Sequence, residues 1–276
     1  MSLLRALLRK NQFQDINGID TSGFHSGAKN VTINKSHFYA FCESIGWPSH
    51  NQLPPTYLQV LANKYVQNIL TQSGFPFRPL GIVHIENEIN MLADVDLNLP
   101  IDIYCQLQPL QQHHKGVCFS VVIDVRQFQR NVYKADCKML CIDNTLAKTK
   151  RSPHAEYQKA ENAITKNLTF PSDIGRRYAK VSGDYNPIHL TSLTAKLLGF
   201  KRAIAHGMYS QALCLSQLHA CESLKTGSTI KVKFKQPLFL STASNLDYAC
   251  QQDKKVEFTL VTNGKVNLQG QVTPAL

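Results

Sequence analysis

The feature of this sequence that most restricts its fold is an order of secondary structure that occurs twice: one long helix, then a series of strands. In the first half, residues 53–71 predict a helix because Leu58, Leu61, Tyr65 and Ile69 recur at helical spacing. Four runs with strand character follow this helix, at residues 81–91, 101–109, 116–126 and 131–142. The first half therefore predicts one helix and an antiparallel meander.

The second half has the same order. Residues 207–221 predict a helix, whose regularly spaced apolar side chains are Met208, Leu213, Leu215 and Leu218. Strands are predicted at residues 229–236, 244–251, 254–262 and 265–273. The dipeptide Asn263-Gly264 separates the last two strands. It favours a tight hairpin, because both residue types accept the positive φ angles of a type I′ turn.

The two patterns together predict an α+β fold, in which a long central helix is wrapped by a curved antiparallel sheet and this unit is made twice in one chain. The segment 146–156 is polar and contains a proline, so it is predicted to be the linker between the halves. The predicted domains are therefore residues 1–145 and residues 157–276.

Composition and charge limit the classes of partner. The chain has 276 residues, of which 43% are hydrophobic and 18% charged, and this balance is typical of globular proteins rather than disordered ones. Residues 146–276 carry 18 basic and 8 acidic side chains, against 12 and 11 in residues 1–145, and the whole chain has a formal net charge of +11. A basic half favours an anionic partner, and a basic surface that only keeps the chain soluble is the alternative. Nucleic acid is not expected, because the lysines are scattered and no stacking-aromatic motif accompanies them.

The cysteines and the start of the chain predict a reducing, soluble setting. None of the eight cysteines forms a C-x-x-C pair and most lie in apolar runs, so neither a disulfide framework nor a zinc site is expected. Arg5 and Arg9 interrupt the first apolar stretch, so a signal peptide is not expected. The basic, amphipathic start predicts a short docking helix, and a mitochondrial presequence is the alternative. No window approaches the ~20 apolar residues of a membrane span. The expected location is the cytoplasm.

The residues suited to catalysis concentrate between positions 178 and 209. Gly183 and Pro187 bracket a tight turn, and Asp184 and His189 lie within or just after it. A carboxylate and an imidazole that face one apolar cavity form a general acid/base pair able to hold one water. Asn186 is expected to orient either group. Taken alone, an Asp-x-Asn-Pro sequence is also an ordinary turn with an Asx hydrogen bond.

A second group of residues begins the long helix of the second half. His206 and Gly207 stand where backbone amides are unpaired and lie at the positive end of the helix dipole. Gly207 permits close approach of a substrate carbonyl, and its amide is predicted to hold the negative charge that develops on a thioester oxygen. His206 is expected to be structural rather than catalytic.

The run Ser182-Gly-Asp-Tyr-Asn-Pro-Ile-His189 is followed by Ala195-Lys-Leu-Leu-Gly-Phe200 and by Ile204-Ala-His-Gly-Met208. These segments closely resemble, without gaps, the hydratase 2 signature of MaoC-like dehydratases, the (R)-specific enoyl-thioester hydratases with the hot-dog fold. The rest of the second half is similar in pattern. The whole length is similar to the double hot-dog subgroup, in which one chain holds two hot-dog repeats.

The resemblance implies roles for individual residues. Asp184 and His189 would activate a water for addition across the C2–C3 bond, and Asn186 would support them. The Gly207 amide would bind the thioester carbonyl. The acidic residue that the family often has two positions after the histidine is replaced here by Thr191, which suits a helix N-cap. Further contacts with substrate are expected at Ser182, Tyr185 and Met208, and a role within the turn is the alternative for Ser182.

The first half is predicted to be a degenerate copy. Aligning the Tyr-Ala pairs that precede the turn puts Ile45 at the position of Asp184, and the other motif positions then hold Trp47, Pro48 and His50. Aligning the tyrosines of the two long helices puts Pro55, which has no amide hydrogen, at the position of Gly207. The first half then lacks both the carboxylate and the oxyanion donor. Its cavity is hypothesised to hold a long acyl tail.

The expected function is that of a hydro-lyase of fatty acyl metabolism, which interconverts a (3R)-3-hydroxyacyl thioester and a trans-2-enoyl thioester plus water. No metal or redox cofactor is expected, because the sequence has no G-x-G-x-x-G or Walker motif and its histidines lack metal-ligand spacing. The substrate carrier is coenzyme A or acyl carrier protein, and a homodimer is a further expectation. Two alternatives stay open: a thioesterase with the same fold, and a non-catalytic protein that binds acyl thioesters or nucleic acid.

Overall fold

The computed structural model describes residues 6, 9–49, 52–143, 145–146, 157–219 and 224–275. Within these residues, eleven strands form a single antiparallel sheet. The predicted linker, residues 146–156, lies outside the described residues except for Leu146, and so does most of the predicted N-terminal helix.

The first half builds one side of the sheet. Its elements are β1 (His25–Val31), α1 (Lys35–Ile45), α2 (Tyr57–Thr71), β2 (Ile82–Met91), β3 (Ile101–Leu107), β4 (Gln111–His113), β5 (Gly116–Gln127) and β6 (Arg130–Ile142). The spatial order from the edge inwards is β1-β3-β5-β6-β2, and the short β4 pairs with β5. Asn34 begins α1 by accepting the His37 N–H at 3.1 Å, and Gly46 ends it at a φ of 65°.

The second half builds the other side in the same way. Its elements are β7 (Ile164–Phe170), α3 (Ile174–Ser182), α4 (Pro187–Leu190), α5 (Ser192–Leu197), α6 (Gly207–Gln217), β8 (Thr229–Phe234), β9 (Thr242–Cys250), β10 (Val256–Thr262) and β11 (Lys265–Thr273). From the edge inwards its strands follow the order β7-β9-β10-β11-β8. If β4 is left aside and the strands of each half are numbered 1 to 5 along the chain, both halves have the spatial order 1-3-4-5-2.

The halves meet where β2 pairs with β8. On one face of this junction, Lys231 Nζ lies 3.1 Å from Glu88 Oε2 and Lys233 Nζ lies 3.7 Å from Glu86 Oε1. These ion pairs are exposed to solvent, so they contribute little to stability. The alternation of side chains directs Asn87, between the two glutamates, to the opposite, buried face.

Asn87 joins the central helices of both halves to the junction. Its Nδ2 donates to Gln211 Oε1 of α6 at 3.0 Å and to Gln59 Oε1 of α2 at 3.1 Å. Gln59 Nε2 donates in return to Asn87 Oδ1 at 2.9 Å. The alignment of the two helix tyrosines, Tyr57 and Tyr209, also matches Gln59 with Gln211. Two equivalent side chains thus bind one residue at the centre of the sheet.

The eight predicted strands are present, and the last one has the predicted bounds. Asn263 and Gly264 have φ angles of 49° and 72°, which confirms the type I′ hairpin. The first long helix begins at Tyr57 and not at residue 53, because Pro54 and Pro55 precede it. The second ends at Gln217 and not at residue 221, since residues 218–219 form a turn and residues 220–223 are not described. The sequence did not predict β1, β4, β7, α1, α3 or α4.

Aromatic rings pack against one another in the core of the first half. Phe38 and Phe41 pack on Tyr57 with ring centroids 5.0 and 5.3 Å apart, and Phe75 and Phe77 pack on Phe119. Six cysteines are buried free thiols, as the apolar runs predict: Cys42, Cys105, Cys118, Cys137, Cys141 and Cys214. Among the described residues, no helix has the length and apolar character that crossing a membrane requires.

The buried network at the junction predicts the effect of Asn87→Ala. The substitution removes the group that Gln59 and Gln211 share, and each buried polar group left unpaired costs about 1–3 kcal/mol. We expect the free energy of unfolding, measured by urea denaturation, to fall by roughly 2–4 kcal/mol. The control is Asn98→Ala at an exposed position, with an expected change under about 0.5 kcal/mol. Equal small losses in both variants would show that the junction does not depend on this network.

Candidate active site

The turn that carries the acidic candidate begins at the end of α3. Gly183 is the C-cap, with a φ of 69°, and its N–H donates to the carbonyl of Ala179 at 2.9 Å. This left-handed conformation turns the chain out of the helix directly before Asp184. The buried Ser182 hydroxyl accepts the Asp184 N–H at 3.2 Å, so its observed role is within the turn. Substrate contact by Ser182 stays a prediction.

Asn186 connects the two candidate catalytic groups. Its N–H donates to Asp184 Oδ1 at 3.1 Å, and its own Oδ1 accepts the Ile188 N–H at 3.3 Å as the N-cap of α4. Pro187 is the first residue of that helix, where no amide hydrogen is needed. The His189 N–H donates to the Asn186 carbonyl at 3.0 Å. The turn expected from the Asp-x-Asn-Pro sequence is present, and Asn186 orients the carboxylate through its backbone.

His189 is held as a neutral imidazole with one defined tautomer. The ring is 7% exposed, and its Nδ1–H donates to the Ile204 carbonyl at 2.9 Å. Because a carbonyl oxygen only accepts, this bond leaves Nε2 as the unprotonated nitrogen. Burial lowers the pKa of His189 and the neighbouring His206 lowers it further, against smaller opposing effects of Asp184 and the Ile204 hydrogen bond. Nε2 is therefore available as a proton acceptor at neutral pH.

His206 joins the two sides of the turn. Its ring stacks on His189, with centroids 3.8 Å apart and planes inclined by 29°. Its Nε2–H donates to the backbone carbonyl of Asp184 at 2.9 Å, and the same nitrogen lies 4.0 Å from Asp184 Oδ2. Burial lowers the pKa of His206, so this ring too favours the neutral form. These contacts fit the expected structural role.

Gly207 is the first residue of α6, so its amide has no partner within the helix. A Cβ added at Gly207 would lie 3.0 Å from the ring of Phe234 at the end of β8. The position therefore favours glycine, because a side chain there would crowd the Phe234 ring.

The other predicted positions lie around this turn. Tyr185 is 58% exposed, and Met208 is half-buried and packs against the core. Thr191 is the N-cap of α5, because its hydroxyl accepts the Thr194 N–H at 3.1 Å. The change from an acidic residue is thus a change of cap, as the sequence predicts.

The histidines were not expected to have metal-ligand spacing along the chain, yet the fold brings a set of possible ligands together. One ligand atom each of Asp184, His189 and His206 lies within 4.8 Å of the others. His206 Nδ1 is also buried without a hydrogen-bond partner among the described residues. The expectation that no metal is needed stays a prediction.

The equivalent turn of the first half carries different residues. Gly46 and Gly183 both end a helix in the left-handed conformation, and they are followed directly by Trp47 and Asp184. The helix ends therefore put Trp47, rather than Ile45, at the position of the carboxylate. The predicted register differs by two residues from this one, but the absence of a carboxylate holds in both. His50, which the predicted register matched with His189, lies outside the described residues.

Sequence reasoning missed three side chains of the first half that bind the end of α3. Each one donates to a backbone carbonyl of the second half: His37 Nε2 to Val181 at 2.8 Å, Asn63 Nδ2 to Ser182 at 2.8 Å, and Gln67 Nε2 to Gly183 at 3.1 Å. The partners are at least 116 residues apart in the sequence, so no local pattern could have indicated them.

His84 was also missed, because in the sequence it is only one residue of a predicted strand. Its ring lies 5.0 Å from the ring of Phe234, which in turn lies against Gly207. Burial lowers the pKa of His84 to about 4, while a backbone hydrogen bond with Glu86 and the charge of Asp184 oppose this effect. His84 therefore brings a neutral imidazole of the first half close to the start of α6.

This chain is similar to known proteins both in sequence and in structure. The MaoC-like domain family matches residues 149–269. The 3-hydroxyacyl-thioester dehydratase X of Mycobacterium tuberculosis is 28% identical over 232 residues, which cover 83% of this chain and 81% of the relative. A crystal structure of HtdX from the same organism has a TM-score of 0.80 at 25% identity and covers 90% of this chain and 99% of its own.

A more distant structure has the same fold. The MaoC-like dehydratase of Phytophthora capsici is 19% identical and has a TM-score of 0.72, with 93% of this chain and 98% of that chain covered. The structural matches agree with the α+β hot-dog fold that the signature implies. Together, these matches show that residues 149–269 resemble the MaoC-like domain family and that most of the chain is similar to a 3-hydroxyacyl-thioester dehydratase.

Proposed function

We propose that this chain is a hydro-lyase that interconverts a (3R)-3-hydroxyacyl thioester and a trans-2-enoyl thioester plus water. The observation that carries the proposal is the single turn on which Asp184 and the neutral His189 come within 4.8 Å of each other. The reaction class is supported by the relative from M. tuberculosis, which is named a 3-hydroxyacyl-thioester dehydratase. The (R) stereochemistry is part of the proposal.

In the hydration direction, Asp184 and His189 hold one water between them. Nε2 of His189 accepts one hydrogen bond from this water, and the carboxylate of Asp184, whose side chain is 38% exposed, accepts the other. The water oxygen forms a bond to C3 of the enoyl group while one of its O–H bonds breaks and that proton passes to the Asp184–His189 pair. The C2–C3 π electrons move towards the thioester oxygen, and the pair then returns a proton to C2 from the same face. The elements of water are added in full, so both side chains return to their starting protonation states.

The amide of Gly207 stabilises the thioester oxygen, which gains negative charge as C3 is attacked. The amide belongs to the first turn of α6, where the helix dipole is positive. One hydrogen bond aimed at developing charge is worth about 3–4 kcal/mol in related sites. The pair Asp184 and His189 then handles the proton, while Gly207 handles the charge on the carbonyl.

The chain is assigned as a double hot-dog protein. Residues 1–145 form a degenerate repeat, residues 146–156 the linker, and residues 157–276 the catalytic repeat. Support comes from the shared strand order of the two halves and from the matched Gln59 and Gln211 on their central helices. Trp47 and Pro55 at the positions of the carboxylate and the amide support a single active site per chain.

The substrate is a thioester of coenzyme A or acyl carrier protein, since both carriers are anionic and the second half is basic. The hypothesis that the first half holds a long acyl tail stays a prediction. Independence from cofactors, a homodimer of whole chains and a cytoplasmic location stay predictions.

The reaction is tested with Asp184→Asn and crotonyl-CoA. Wild type is expected to remove the enoyl-thioester absorbance without releasing free thiol, in buffer that contains EDTA. The asparagine cannot accept a proton, so kcat/KM should fall by roughly 100- to 10,000-fold, the usual contribution of a general acid/base group. Free thiol released by wild type would instead establish a thioesterase.

A matched control separates the loss of the carboxylate from a general effect of the substitution. Asp173→Asn removes an exposed carboxylate at the start of α3, where Asp173 pairs with Arg177 at 3.0 Å. We expect this variant to keep the activity of wild type. Equal losses in both variants would remove Asp184 from the mechanism.

The lowered pKa of His189 predicts the pH dependence. Because the ring resists protonation, Nε2 stays available as the pH falls through about 6.5, the ordinary value for histidine. We expect kcat/KM to stay level from pH 8 to about 6. Below about 6.5 the unfolded chain binds a proton that the native state does not, so the free energy of unfolding falls with pH. A decline in kcat/KM centred near pH 6.5 would contradict a neutral His189.

A further inference from the structure

We propose that the first half is retained because it positions the catalytic turn, through a carbonyl clamp formed by His37, Asn63 and Gln67. Asn63 and Gln67 lie on α2, and His37 lies on α1. None of the three is assigned to contact substrate, so all three are positioning residues. The proposal rests on the proposed hydro-lyase activity only for its kinetic readout.

The clamp provides hydrogen-bond donors for backbone carbonyls that have no partner at the end of α3. The last carbonyls of a helix have no partner within it, and the C-cap bond of Gly183 uses the carbonyl of Ala179 only. The next carbonyls in need of donors include those of residues 181–183, and these are the three that the clamp binds. The side chains of the first half thus take the place of solvent at this helix end.

The bound carbonyls directly precede the catalytic carboxylate. Gly183 has the greatest backbone freedom in the turn, and its φ of 69° fixes only one side of the residue. The bond from Gln67 to the Gly183 carbonyl restrains the peptide plane that leads into Asp184. The bond from Asn63 does the same for the preceding plane, at 2.8 Å. Two successive planes are therefore fixed before the chain reaches Asp184.

Both ring nitrogens of His37 have hydrogen-bond partners. Its Nε2–H donates to the Val181 carbonyl at 2.8 Å, because a carbonyl oxygen only accepts. Its Nδ1 lies 3.1 Å from the Tyr57 hydroxyl. The tyrosine at the start of α2 thereby orients the clamp.

The opposite side of the molecule offers an internal comparison. The alignment of the two long helices matches Asn63 with Leu215 and Gln67 with His219. Leu215 has no polar side-chain atom, and the ring of His219 packs edge-on against Trp47, 4.9 Å away. Near the turn that carries Asp184, these two helix positions thus hold side chains that donate to carbonyls. Near the turn that carries Trp47, the equivalent positions hold Leu215 and a histidine with an aromatic contact.

The test uses Gln67→Leu and the double variant Asn63→Leu/Gln67→Leu. A displacement of the reacting group by about 1 Å costs on the order of 100-fold in rate. We therefore expect kcat of the double variant to fall 10- to 100-fold with crotonyl-CoA, while KM stays within about 3-fold. Gln67→Lys restores a donor and should recover most of the loss seen in Gln67→Leu. Asn68→Leu, at an exposed position of the same helix, is the control with wild-type kcat.

Hydrogen exchange followed by mass spectrometry gives a readout that does not need turnover. We expect the backbone amides of residues 184–190 to exchange faster in the Gln67→Leu and double variants than in wild type and Asn68→Leu. Wild-type kcat and exchange in a folded double variant would overturn the proposal. So would a loss of kcat that Gln67→Lys leaves unrepaired. If wild type has no hydratase activity, the proposed function fails, and the exchange data alone decide on the clamp.

Discussion

The pairing of β2 with β8 is the constraint on which the rest of this structure depends. It makes one sheet of the two halves, and Asn87 at its centre binds the central helices of both. The distance between α2 and the turn at Asp184 is fixed as a consequence. Side chains of one half can then hold the backbone of the other with hydrogen bonds of 2.8–3.1 Å, which tolerate little relative movement.

Within this structure, the hydrogen-bond partners of the two imidazoles of the site favour their neutral forms. His189 and His206 each donate one N–H to a backbone carbonyl, Ile204 and Asp184 respectively. A carbonyl orients an imidazole and selects its tautomer, but it stabilises the protonated form less than a carboxylate would. Burial then dominates the pKa of both rings. The carboxylate of Asp184 stays partly open to solvent, whereas the neutral ring of His189 is buried.

Local rules were enough to predict part of this arrangement from the sequence. The hairpin at Asn263-Gly264 and the turn at Asp184 depend on the backbone preferences of the residues within them. The edge strands β1 and β7 were missed because they bury few side chains, and their patterns are weak for that reason. The contacts of the clamp could not be predicted from the sequence, because each joins residues more than 100 positions apart. The orientation of His84 could not be predicted for another reason. A β-bulge between His84 and Glu86 reverses the side of the sheet to which alternation would direct the His84 side chain.

The half without a carboxylate in its turn still contributes to the structure of the other half. Gln59 and Gln211 occupy equivalent positions on the central helices, and both bind Asn87. The two turns differ in the residue that follows the helix end, which is Trp47 in one half and Asp184 in the other. Beside Trp47, the position equivalent to Gln67 is His219, whose ring packs on the indole. Beside Asp184, whose side chain is 38% exposed, Asn63 and Gln67 instead bind the backbone that leads to the carboxylate. The carboxylate therefore stays open to solvent while the backbone before it is held.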